Sequence, residues 1–186
     1  MSQYRFFPGR VQQARRGHNT LKDFSGHKIT PLYWYAVPDA KDTGLKENWQ
    51  RLSISEARKK GSLLPTNSAW EAVSDRHTAV DPTFCKKMKN YDGIVWYYQQ
   101  LDIPKEWQGK EIYLCFGAVD EACELFVNGK ASGAHPFVKP DDWVTPFALR
   151  IDQNIDWNIP RQTIAVRVTD TGGNGGIWKR IWLVHK

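Results

Sequence analysis

Cysteine, methionine, long apolar runs and catalytic signatures are all scarce in this chain, and each shortage closes off a class of protein. The 186 residues contain three cysteines and two methionines. Cys85, Cys115 and Cys123 are odd in number and show no CxxC spacing, which argues against a metal knot or a disulfide framework. Cys115 and Cys123 sit inside apolar runs, where cysteine serves as a small buried hydrophobe. No apolar run is long enough to span a membrane, and the N-terminus lacks the apolar core of a signal peptide. The chain is therefore expected to act in the cytoplasm or within a particle, or outside the cell if an export signal has been removed.

Acidic residues are missing from one region. "MSQYRFFPGRVQQARRGHNTLK" carries Arg5, Arg10, Arg15, Arg16 and Lys22 without one carboxylate, and supplies much of the formal charge of +6. Such an arm suits an acidic polysaccharide, an acidic protein surface or a neighbouring subunit, and equally a solvated tail; nucleic acid is not expected. Residues 1–27 are read as this extended basic arm and residues 28–186 as one domain.

Catalytic signatures are absent too. There is no GxSxG elbow and no HExxH, and the five histidines are scattered. The glycine-rich "DTGGNGGIW" has neither GxGxxG nor a GK[ST] ending, and it joins two strands where a phosphate site needs a helix N-terminus. It reads as a strand-to-strand loop. A glycosidase pair needs two acids about 5–10 Å apart across a cleft. Asp120-Glu121 and Asp141-Asp142 are instead adjacent acids in turns, where they serve local hydrogen bonds. No catalytic residue and no cofactor are assigned. The turn acids offer oxygen ligands for a structural calcium ion, but their spacing is not that of an EF-hand, and the metal is left open.

Aromatic residues are what the chain has in plenty: 13% of the sequence, with nine tryptophans, in a chain 41% hydrophobic. Aromatic and β-branched side chains pack well on a pleated surface, so a β-rich domain is expected. After Gly93 the pattern is regular. Strands are expected at Ile94–Ile103, Glu111–Val119, Cys123–Val127, Phe147–Ile151, Thr163–Thr169 and Ile177–Val184, with an Asn128-Gly129 hairpin. In "TIAVRV", Ile164, Val166 and Val168 face one way and Thr163, Ala165 and Arg167 the other. Short strands with turns about every ten residues indicate an all-β sandwich or barrel. Before Gly93 the reading is sparser: a strand and a Pro-Asp turn after Ile29, a short helix in "SISEARKKGS" capped by Ser55, and a long irregular connection over 65–92.

Trp96, Trp178 and Trp182 lie in strands and are read as core. Trp143, in "HPFVKPDDWVTPF", lies between prolines and acids away from any strand. Its flat indole can stack on the apolar face of a sugar, with polar neighbours such as Asp142 accepting hydroxyl hydrogen bonds; the competing reading folds it back over the end of the sandwich.

"YDGIVWYYQQLDIPKEWQGKEIYLCFGAVDEACELFVNGK", with "PFALRI", "IAVRVTD" and "GGIWKRIWLV", resembles the N-terminal sugar-binding domain of glycoside hydrolase family 2 enzymes. The resemblance runs from about Tyr91 to Val184, and "WYAVPDAKDTGLKENW" and "SAWEAV" extend it backwards. It implies a galactose-binding-like jelly-roll β-sandwich. Where that family usually has arginine just after "WY", this chain has Tyr98. The paired glutamates of the family belong to a separate barrel domain, so no cleavage is expected from these residues. The loop before "GGIW" and the segment before "YDG" border the sugar pocket in the family, which points to Asp170 and Asn174, and to Arg76 and His77; His135 of the Gly-x-His step joins Trp143 and Asp142 as a further ligand candidate. The expected function is a non-catalytic carbohydrate-binding domain, alone or within a larger glycan-active enzyme. The alternatives are an assembly module that docks through the basic arm, and an accessory domain completing a glycosidase active site.

Overall fold

The computed structural model describes residues 20–73 and 79–186. A 3₁₀ turn at Thr20–Asp23 precedes β1 (Gly26–Ile29) and β2 (Tyr33–Pro38). Then come α1 (Ile54–Lys60), β3 (Ser62–Pro65), α2 (Pro82–Met88), β4 (Gly93–Leu101) and β5 (Ile112–Asp120). The chain finishes with β6 (Ala122–Val127), β7 (Lys130–His135), β8 (Phe147–Arg150), β9 (Gln162–Asp170) and β10 (Gly176–His185). The order β3-β2-β4-β9-β6-β7 makes one sheet and β1-β10-β5-β8 the other, and every pairing is antiparallel. The result is a jelly-roll β-sandwich. No helix among the described residues is long and apolar enough to cross a membrane.

Period-two alternation builds the sandwich. Val95, Tyr97 and Leu101 of β4 and Ile164, Val166 and Val168 of β9 face inward against Ile112, Leu114, Phe116 and Ile181 of the opposite sheet. The opposite side of β4 is also sealed. Ile94, Trp96 and Tyr98 form a second apolar cluster with Val37, Ala57 and Phe126, roofed by Trp49, Leu52 and Ile54. This is why the run reads as nearly continuous hydrophobe. Trp96 donates from Nε1 to Asp39 Oδ2 at 3.2 Å, and the Tyr98 hydroxyl donates to the Trp49 carbonyl at 3.0 Å. Tyr98 thus fills an interior position under this roof, and burying a side chain of that size is worth about 1.5–3 kcal/mol.

The Asn128-Gly129 turn forms as expected, with φ of 50° and 76°. Cys115 and Cys123 are buried and unbridged. Other expectations need correction. The cap of α1 is Ser53, two residues before Ser55, because the Ser53–Glu56 spacing closes a reciprocal capping box: the Glu56 N–H donates to Ser53 Oγ and the Ser53 N–H to Glu56 Oε2. The 65–92 stretch holds α2, started by Asp81, whose carboxylate accepts the N–H groups of Thr83 and Phe84. Pro82, read as punctuation, occupies the first helical turn, where its missing N–H costs nothing. Trp178 and Trp182 are not core. Both point outward from the smaller sheet and are half-buried, because positions 178 and 182 alternate with the inward Ile177, Ile181 and Leu183. Part of the segment read as arm is built into the sheet: β1 pairs with β10, and Leu21 and Phe24 cover Tyr113, Cys115 and Val184 on its outer face. Residues 1–19 of the arm lie outside the described residues.

Candidate functional site

Four strand ends meet at one end of the sandwich. Asp170, the last residue of β9, pairs with Gly93 at the start of β4. Asp120, the last residue of β5, pairs with Gly176 at the start of β10. The glycine-rich loop at 171–175 joins β9 to β10 across this junction, crossing from one sheet to the other. Two contacts seat it. The Trp70 N–H donates to the Gly175 carbonyl at 3.0 Å, and the Gly175 N–H donates to Glu71 Oε2 at 3.0 Å. A Cβ on Gly175 would lie 2.0 Å from the Trp70 ring, so close approach alone demands glycine there. On the other side Glu121 Oε2 accepts the Thr171 N–H at 3.1 Å and hydroxyl at 2.8 Å. The tip stands clear, with nothing within 4 Å of where a Cβ would fall at Gly172 or Gly173.

This end concentrates carboxylates. Asp170 is only 2% exposed, its Oδ2 has no hydrogen-bond partner, and its Oδ1 accepts the Gly172 N–H at 3.4 Å. Burial pushes its carboxyl up to about 7; the Gly172 hydrogen bond opposes the shift and the charges of Glu121, Asp120 and Glu71 add to it. Burial likewise raises Asp120 to about 6, with Glu121 and Glu71 contributing. Burial also raises Glu71, against the Gly175 hydrogen bond. A buried acid with an empty acceptor is costly, and such groups concentrate where a ligand supplies the missing donor. The described residues hold no group of three or more His, Cys, Asp or Glu side chains placed to bind a metal ion. A groove of about 350 Å³ opens beside Glu71, bounded by Val73, Pro82, Lys86 and Lys89.

A second cluster lies in the loop between β7 and β8. Asp142 is buried, and its Oδ2 accepts the N–H groups of Val138 at 2.8 Å and Lys139 at 2.7 Å. Burial alone would raise its carboxyl. The two N–H groups and the charges of His135 and Lys139 outweigh that and hold it below the usual carboxylate range. His135 is buried face to face with Phe147, ring centroids 3.9 Å apart, and burial lowers its basicity against the pull of Asp142. Trp143 stays 42% exposed and stacks on Trp178, with centroids 5.5 Å apart.

The candidates therefore separate. Asp170 and Asn174 share the acidic end, Asn174 exposed in its loop. His135, at the end of β7, and Asp142 and Trp143 of the following loop share the other cluster, where Asp142 ties down the backbone and His135 sits inside. Arg76 and His77 lie outside the described residues. The reading of isolated residues missed Glu71, Asp120 and Glu121 as neighbours of Asp170, and Trp178 as the partner of Trp143. "AVDEA" spans the end of β5 and is brought to Asp170 by strand register, whereas Glu71 of "SAWEAV" reaches it through the 3₁₀ turn that seats Gly175.

The chain is similar to β-glucuronidases in sequence and in fold. A β-glucuronidase of Formosa agariphila is 24% identical over 119 residues, spanning 58% of this chain and 11% of that protein. The β-glucuronidase of Lactobacillus rhamnosus superposes with a TM-score of 0.67 at 18% identity, covering 86% of this chain and 28% of that one. For Ruminococcus gnavus β-glucuronidase the TM-score is 0.68 at 15% identity, over 94% and 30% of the two chains, and that enzyme has also been solved with D-glucaro 1,5-lactone. The chain thus spans less than a third of these relatives. No family model matches the sequence. What the solved structures share with it is the sandwich that the family 2 resemblance implies.

Proposed function

We propose that this sandwich is a non-catalytic, saccharide-contacting domain of a glycan-active protein, with Asp170 as its principal ligand group. The observation that carries the reading is the buried Asp170 carboxylate with one oxygen unpartnered. A sugar hydroxyl is the donor such an oxygen lacks, and a neutral hydroxyl answers the local crowding of negative charge without adding to it. The loop over 171–175 is fixed at its base by Glu121 and Glu71 and open at its tip. A small displacement of that tip admits a hydroxyl to Asp170 and brings the Asn174 amide to the same ring. Similarity to β-glucuronidases supports a uronate-bearing saccharide as the first ligand to try.

The test is isothermal titration with neutral and glucuronate-bearing oligosaccharides, comparing wild type with D170N. The expected result is binding in the wild type and at least a tenfold loss in D170N with the fold retained. Equal affinity in the two proteins overturns the role of Asp170. Absence of binding across a broad glycan array overturns the saccharide reading.

A further inference from the structure

We infer that Trp143, propped against Trp178, forms a stacking platform for a pyranose ring, a second saccharide contact beside the Asp170 end. The inference rests on the saccharide reading above but on different residues. Six large hydrophobic side chains are prominently exposed among the described residues, and Phe137, Val138 and Trp143 supply three of them from one short loop. That loop is not loose. Asp142 clamps it through the Val138 and Lys139 N–H groups, and the Thr145 hydroxyl donates to the Asp141 carbonyl at 2.7 Å. Trp143 is thereby held at the surface by a fixed turn, and with Phe137 and Val138 it gives this loop an exposed apolar patch.

The indole has a fixed orientation. Trp178, on β10, stacks against it with an interplanar angle of 26° and donates from Nε1 to the Trp143 carbonyl at 2.8 Å. The Lys179 ammonium lies over the Trp178 ring, 4.4 Å from its centre, so Trp178 is held between Lys179 and Trp143. Trp143 thus presents its remaining face in a pre-set orientation, propped by a Trp178 whose own indole N–H is already used. A flat indole face of fixed orientation suits the C–H face of a pyranose. The extent of the patch favours a sugar over a protein partner. A stable protein interface buries about 800 Å² per partner, whereas this apolar face is confined to one loop and the start of β10, with Lys139 and Lys179 alongside.

Register places it next to the acidic end. Gly176 faces Asp120 and Lys179 faces Ala118, so Trp178 lies within two residues of the junction where Asp170 sits. An oligosaccharide lying along this end can meet the indole with one ring and the Asp170 loop with another.

The experiment uses the 186-residue chain with cellotetraose and a hyaluronan tetrasaccharide, followed by calorimetry and by tryptophan fluorescence. Wild type is compared with W143A, W143F, W178A and D170N, and thermal melts verify folding. The platform predicts at least a tenfold weaker affinity in W143A and W178A, about threefold or less in W143F, and a fluorescence change on binding that W143A removes. Wild-type affinity in W143A with a loss in D170N overturns the platform and leaves the Asp170 reading standing. A loss in W143A with D170N unaffected supports the platform and overturns the Asp170 role. Binding of neither saccharide by the wild type overturns the platform for these ring types.

Discussion

Asp142 and Asp170 are buried to nearly the same degree, 4% and 2% exposed, yet their carboxyls shift in opposite directions. Asp142 receives two short backbone hydrogen bonds and has His135 and Lys139 nearby. Asp170 receives one long hydrogen bond, keeps an empty oxygen, and sits among three other acids. Burial is therefore no guide to role by itself. The satisfied carboxylate organises a loop, while the unsatisfied one lowers stability and is kept in a state that a ligand can improve.

The comparison can be broken or sharpened by substitution. The largest effect is expected from D142A. It strands two backbone N–H groups and releases the loop that holds Trp143, costing roughly 2–3 kcal/mol, which for a chain of this size lowers Tm by about 4–12 °C. A melt unchanged from wild type would remove the structural role given to Asp142. G175A comes next: the added Cβ meets the Trp70 ring, and overpacking of this kind costs about 1–3 kcal/mol. Differential scanning calorimetry measures the loss, and tolerance of alanine would show that the loop base yields easily.

D170N should act in the opposite direction and with a pH signature. A carboxyl raised from its usual range to about 7 destabilises the fold increasingly as pH climbs from 4 to 7, and the penalty is complete above that. D170N removes the charge, so its stability should exceed that of wild type at pH 8, by about 1 kcal/mol or more, and match it near pH 4. Asp142 has the reverse sign. Its stabilisation is complete above the usual carboxylate range and fades on acidification through its lowered value, so the stability of D142A should approach that of wild type at low pH. Chemical denaturation across pH 3–8 reads both trends, and parallel curves for the two variants would collapse the distinction. The smallest effect is expected for S53A, about 1 kcal/mol, through loss of the α1 cap. It should leave the proposed saccharide binding unaltered, since α1 roofs the outer face of the larger sheet.

Much of the fold was legible because it rests on period and turn chemistry. The alternation of Ile164, Val166 and Val168, the Asn128-Gly129 turn and the strands after Gly93 follow from local rules that hold wherever a sandwich forms. The misread segments are equally local. The Ser53–Glu56 box and the Asp81-Pro82 helix start were written in the sequence as capping signals and were passed over. Trp178 is a different case. Its neighbours Ile177 and Ile181 are core, and only the face assignment of β10 shows that the indole points outward.

By itself, the sequence determined the class of fold, the scarcity of metal-binding and disulfide patterns, and the aromatic strand "YDGIVWYYQQL", because alternation and composition are properties of neighbouring residues. The tertiary structure decided which of those aromatics are sealed and which face water. It also decided which acids become neighbours. Glu71, Asp120 and Asp170 are separated by some fifty residues each along the chain; antiparallel register and a crossover between two sheets bring the two aspartates to one end, and the Gly175 contact brings Glu71 there. A carboxyl's charge state depends on what surrounds it in space, so the difference between Asp142 and Asp170 exists only once the chain is folded.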